Sequence, residues 1–192
     1  MQPSETVCDR PIEQCLQEIE RFHTWKAPGL VIGLFMADWA RELVGPGVEF
    51  DAIVETTHCL PDAVQLFTPC TVGNGWLKVL DWDKFALTLY DRRERTGHRV
   101  WLDLEKTKAF PKLHGWYLRE IPKRDLPLDM LLGIILEARR SVLSTRPIRM
   151  ADLYGRNKKG ATGICPGCGE GYALGQGPRC LACQGQGYYR FE

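Results

Sequence analysis

A chain of 192 residues, 44% hydrophobic and 26% charged, is long enough for one core of ordinary size with a small appendage, and its composition excludes a disordered chain. A formal net charge of +1 provides no whole-protein field of the kind that gathers nucleic acid or anionic membrane. The longest uncharged apolar run, "APGLVIGLFMA", is 11 residues, too short to span a bilayer. The start, "MQPSETVCDRPIEQC", lacks the basic and apolar regions of a signal peptide, so the cytoplasm is the expected compartment.

In chain order, "RPIEQCLQEIERF" places Ile12, Cys15, Leu16 and Ile19 on one face and predicts a first helix. "PGLVIGLFMADWARELVG" predicts a second, with Pro28 suited to its first turn and Gly45–Pro46 to its end. Its sequence is apolar nearly all round until Asp38, so it is expected to be buried, with Gly29 and Gly33 allowing close approach. "VEFDAIVETT" alternates and reads as a strand, and "LPDAVQLFTP" as a short helix opened by Pro61. From Trp76 to Leu104 the segments "WLKVL", "FALTLYD" and "HRVWLDL", separated by "DWDK" and "RRERTG", predict an antiparallel meander. "LPLDMLLGIILEARRSVLS" follows the 3.6-residue period through Leu143, with Arg139 out of character, and "RPIRMADL" reads as a last strand. "YGRNKKGATG" is polar and glycine-bearing and is taken as the boundary, giving an α+β core over residues 1–154 and a second domain over 155–192.

The second domain carries the strongest motif. Cys165 and Cys168 form one Cys-x-x-Cys pair, and Cys180 and Cys183 form another eleven residues later. Two such pairs in a chain without an export signal favour a metal over disulfides. Four thiolates suit one tetrahedral zinc, and a site closed by four protein ligands is structural and not catalytic. A rubredoxin-type iron centre uses the same ligands and stays open. Few large apolar residues accompany the cysteines, so the metal has to supply about 10 kcal/mol of the folding energy. The segment's net charge of +3 and its tyrosines Tyr172, Tyr188 and Tyr189 leave nucleic-acid binding as an alternative to a solvated linker with a small aromatic core.

"FHTWKAPGLVIGLFMA", then "ETTHCLPDAVQLFTPCTVGNGWL", then "DWDKFALTLYD" resemble the E-subunit family of formylmethanofuran dehydrogenase over about residues 10–150. Phe22, His23, Pro28 and Gly29 agree with its pattern, as do Cys59, Asp62, Ala63, Gln65, Thr71, Gly73 and Gly75. The family's second histidine falls on Trp25 and its cysteine on Ala27, neither of which can ligate a metal. The resemblance implies a thioredoxin-like α+β core with a mixed or antiparallel sheet flanked by helices. It also implies a core metal site that is degenerate here, and a tail resembling a treble clef. "QGQGYYRFE" after Cys183 reads more like the strand or hairpin end of a zinc ribbon.

Candidate catalytic residues in the core are His23, as a ligand or proton carrier, and Cys59, as a thiol whose pKa falls if it opens the "LPDAVQLF" helix. Asp62 is expected to favour the N-terminus of that helix, Gln65 to reach a ligand, and Cys70 to be a conceivable redox partner for Cys59. Trp76, Trp82, Trp101 and Trp116 are assigned to the core or a dimer interface. Three functions follow. The first is an accessory, zinc-binding protein of the E-subunit type, cytoplasmic, homodimeric and acting through protein partners such as other dehydrogenase subunits of one-carbon metabolism, without catalysis of its own. The second is a thiol or acid–base enzyme using Cys59 and His23. The third is a zinc-finger module for nucleic acid or an acidic partner.

Overall fold

The computed structural model describes residues 6–151 and 160–189. The chain divides into two compact units, 1–151 and 152–192, each taken by itself. The boundary expected between residues 154 and 155 lies outside the described residues, as do Arg156, Lys158, Lys159 and Arg190.

The first unit opens with a short hairpin, β1 (Thr6–Val7) and β2 (Arg10–Pro11), followed by α1 (Ile12–His23) and α2 (Pro28–Val44). The apolar face of α1 buries Cys15 and Ile19, and Thr24, in the left-handed region at φ 71°, ends the helix. Pro28 occupies the first turn of α2, where its missing N–H has no partner to lose. At the other end the Gly45 N–H donates to the Arg41 carbonyl at φ 92°, a conformation that favours glycine. Every residue from Pro28 to Ala37 is buried, which makes α2 the central element of the core. Burial of each large side chain of this run contributes about 1.5–3 kcal/mol.

Next come β3 (Phe50–Val54), α3 (Leu60–Phe67) and β4 (Leu77–Val79), then β5 (Ala86–Asp91) and β6 (Thr96–Leu102). Short helices α4 (Leu104–Thr107) and α5 (Pro111–Tyr117) precede α6 (Leu128–Ala138) and β7 (Leu143–Arg149). The five-stranded sheet has the order β4-β3-β5-β6-β7. The expected three-stranded meander is corrected here. β4 pairs parallel to β3, while β5 lies on the other side of β3, and only β5, β6 and β7 follow one another antiparallel. The parallel pair is joined through α3, since a two-residue hairpin cannot connect parallel strands. Pro147 lies on β7, at the sheet edge, where its missing N–H breaks no ladder.

The predicted long last helix is also shorter than its period. It ends at Ala138, and Arg139 takes φ 48° and donates Nε–H to the Leu136 carbonyl, 2.7 Å away. A single 3₁₀ turn over Arg139–Val142 follows, and Leu143 belongs to a strand. Ala52, Val54, Leu87, Leu89, Val100 and Leu102 form the sheet's inner face and join the same buried cluster as α2. On the other face Arg99 grips Glu55 with two bonds of 2.6 and 2.7 Å, and Arg92 donates to Asp51 at 2.6 Å while stacking over Trp76. Each buried carboxylate thus has a charged partner, as burial requires. Trp76, Trp101 and Trp116 are half-buried and Trp82 is exposed. No helix among the described residues is long and apolar enough to cross a membrane.

The helices meet without side chain at Gly33, where an added Cβ would lie 2.6 Å from the Ala63 Cβ. Gly33→Ala is therefore expected to lower the unfolding free energy by about 1–3 kcal/mol. Gly133→Ala, in α6 with nothing within 4 Å of the new methyl, is expected to be neutral or to stabilise by up to about 1 kcal/mol. Urea denaturation of the two variants measures both.

Candidate metal centre

The second unit is built around its cysteines. β8 (Thr162–Ile164) and β9 (Gly171–Ala173) form a hairpin whose tip, Cys165–Glu170, is closed by Cys165 N–H to the Glu170 carbonyl and Gly169 N–H to the Cys165 carbonyl, both 2.8 Å. Gly169, at φ +76°, makes this reversal. A Cβ on Gly167 would come 2.9 Å from the Cys183 sulfur, so glycine is what lets the two cysteine pairs converge. The second pair sits on a 3₁₀ turn, Ala182–Gln184, ended by Gly185. The Gln184 side chain fastens this turn by donating to the Gln176 and Arg179 carbonyls. Among the described residues after Gln184 there is no strand, contrary to the ribbon-like end expected from "QGQGYYRFE".

The four Sγ atoms of Cys165, Cys168, Cys180 and Cys183 lie within 4.8 Å of one another. Zinc–sulfur bonds of about 2.3 Å in a tetrahedron place sulfurs about 3.8 Å apart, and the Cys168–Cys180 separation is 3.8 Å. Cys180 N–H points at the Cys165 sulfur at 3.4 Å and Cys183 N–H at the Cys180 sulfur at 3.5 Å. Backbone N–H groups of Cys180, Cys168 and Gly167 lower the Cys165 thiol to about 6, which favours the thiolate that a metal needs. The donor set fits one structural zinc per chain, held by four protein ligands with no position for a substrate.

The core pocket is a different kind of place. His23, the last residue of α1, shares a 2.8 Å hydrogen bond through Nδ1 with the Asp62 carboxylate on α3. Asp62 thus clasps two helices, beyond the helix-end role expected of it. Trp25 is 47% exposed and Ala27 is 1% exposed, so the indole does not fill the place of a ligand, and the methyl of Ala27 is packed in the core. Gln65 accepts the Val72 N–H at 3.3 Å and steadies the following turn, in place of the ligand contact expected. Asn74 organises that turn by accepting from Thr71 and Trp76 N–H groups. Among the described residues, the finger cysteines are the one group of three or more His, Cys, Asp or Glu ligand atoms gathered closely enough for a metal. The core residues present do not fit a resident metal.

Cys59 precedes α3 at φ 51°. A Cβ on Gly29 would lie 3.1 Å from its sulfur, so the thiol sits where the starts of α2 and α3 meet. The expected lowering of its pKa is reversed: burial first, and the Asp62 charge second, push it up. Cys70 is buried and free, its thiol directed at the Phe50 carbonyl, and Cys59 is free as well. Burial also raises Cys8 to about 12 and Cys15 to about 11, as for thiols that pack and do not react.

Metal analysis of the purified chain is expected to give one zinc, lost in Cys165→Ser or Cys180→Ser. Because the Cys59 pKa is raised, its thiolate fraction at neutral pH is below that of an ordinary cysteine. Its alkylation by iodoacetamide, followed by peptide mass spectrometry, should be slower than that of a free thiol at pH 7 and should rise above pH 9, close to the ordinary thiol value. Faster reaction at pH 7 contradicts the burial argument.

Residues 22–150 match the family described as "FmdE, Molybdenum formylmethanofuran dehydrogenase operon". Residues 156–190 match the FmdE treble clef zinc finger. The chain superposes with TM-score 0.89 on a crystal structure of an FmdE-like protein of tungsten formylmethanofuran dehydrogenase from Syntrophus aciditrophicus, at 39% identity, covering 97% of this chain and 99% of that one. It is 26% identical over 219 residues to the "Probable S-adenosyl-L-methionine-binding protein" of Archaeoglobus fulgidus, covering 92% of this chain and 54% of that protein, about half its length. With matches across both its α+β core and its four-cysteine tail, the chain belongs to the FmdE family and carries the family's treble clef zinc finger.

Proposed function

We propose that the chain is an accessory, non-catalytic member of its family that acts through protein partners, as a cytoplasmic homodimer. The observation that carries this reading is the pair Trp25 and Ala27, one exposed and one packed, at the positions where the resemblance expects a histidine and a cysteine. His23 is left with Asp62 as its partner, and Cys59 is left as a buried thiol with a raised pKa. A general base for that thiol would need to stand within hydrogen-bond reach. The zinc finger supplies rigidity to the tail, and a closed four-thiolate site offers no substrate position. The partner class the resemblance suggests is a molybdenum or tungsten formylmethanofuran dehydrogenase.

Two results test the reading. Wild-type protein incubated with excess zinc and then desalted is expected to keep one metal per chain, and the double variant Trp25→His, Ala27→Cys to keep two. A second tightly held metal in the wild type contradicts the degenerate core site. Tagged full-length chain recovered from its native cells is expected to carry dehydrogenase subunits in near-stoichiometric amount. Recovery of the chain with no other protein contradicts the accessory role.

A further inference from the structure

At the opposite end of α2 from Cys59, about 24 Å along a helix of this length, the core unit has a second concavity that the metal centre and the core pocket do not use. It is a cleft of about 460 Å³ between the C-terminal turn of α2 and the ends of β5, β6 and β7. That volume lies in the range of about 300–1,000 Å³ typical of small-molecule sites. Leu43, Val44, Val48, Pro147 and Ile148 supply apolar walls.

His98 lines the same cleft. It stands opposite Leu89 in the β5–β6 register, on the inner face of the sheet. Its Nδ1 is buried and has no hydrogen-bond partner, and the same holds for the hydroxyl of Thr145 on the neighbouring strand. Buried polar atoms without partners are rare enough in folded proteins that each requires an explanation. A proton on Nδ1 would be a buried donor with nothing to receive it, so the neutral ring carries its proton on Nε2. Nε2–H is then the nitrogen available to the cleft, and it is a donor.

Two charged side chains also line the cleft, Asp91 and Arg149. Asp91 is engaged by its own turn, its Oδ1 accepting the Arg93 and Glu94 N–H groups at 2.6 and 2.9 Å. Among the described residues Arg149 makes one long bond, 3.4 Å, to the Glu94 carbonyl, which leaves most of its guanidinium donors for a ligand. An apolar chamber with two donors, one of them cationic, selects a ligand with an apolar body and an anionic acceptor.

We propose that this cleft binds a small carboxylate with an apolar tail, its carboxylate received by His98 and Arg149 and its tail packed between the end of α2 and β7. The site is independent of the accessory role proposed above, and its failure would leave that role untouched.

The test uses full-length protein labelled with ¹⁵N-histidine, whose four histidines include His98. Hexanoate is the probe, with hexylammonium as the control of the same tail and opposite charge. Hexanoate is expected to shift the His98 ring nitrogens saturably and to leave His23, His58 and His114 in place. Hexylammonium is expected to leave all four unmoved. Arg149→Gln should weaken hexanoate by about tenfold. Val44→Trp, which fills the cleft, should remove the His98 shift while the other three histidines keep their folded positions. No saturable shift, equal binding of hexylammonium, or a shift that survives Val44→Trp would overturn the proposal. So would His98 signals that move with protein concentration alone, since a second copy would then be what covers the cleft.

Discussion

The close approach of α2 to its neighbours is the constraint on which the core depends. A helix apolar over its whole first ten residues can be satisfied only at the centre of a domain. There, with a helix against one flank and a sheet against another, ordinary side chains at every position would hold the elements too far apart. Gly33 against Ala63 and Gly29 against Cys59 remove that obstacle. The same contacts bring the first turns of α2 and α3 together, and so place Cys59 and Asp62 near the end of α1. The His23–Asp62 bond then ties α1 to α3 across 39 residues of sequence. The geometry of the core pocket is thus a by-product of how the central helix is packed.

The finger obeys a different constraint. Its hairpin and 3₁₀ turn are short, and Ile164, Leu174, Leu181 and Tyr188 are exposed, leaving little apolar burial to offset chain entropy. Four convergent sulfurs with N–H groups aimed at them take the place of a core. The two units therefore divide the labour within one chain. One holds its form by burial and lacks the ligands of a metal site, and the other holds its form by a metal and lacks an open coordination position.

Much of this was legible in the residues. The two Cys-x-x-Cys pairs named the metal ligands because the spacing is a short-range property. Pro28 and Gly45 bounded α2 because each acts on its own backbone. What was hidden was non-local. "WLKVL" and "FALTLYD" are neighbours in sequence and read as a hairpin, yet β3 lies between them, because α3 carries the chain over to the far side of β3. Leu143 kept the helical period of α6 and entered a strand, since Arg139 had already broken the helix at positive φ. The short helices α4 and α5 left no periodic signal long enough to read. Asp62 and Gln65 looked like site residues and turned out to hold a helix end and a turn. Cys59 stands at a helix start, as its sequence suggested, but sequence carries no measure of burial, and burial decides its pKa.

The central claim is that this chain holds its zinc with sulfur alone and has no second metal in its core. Zinc X-ray absorption on the full-length protein, supplied with two equivalents of zinc and then desalted, tests this most directly. The expected result is a first shell of four sulfurs at about 2.3 Å and no nitrogen or oxygen contribution. A mixed shell with a histidine nitrogen at about 2.0 Å would place zinc at His23, and would contradict the claim.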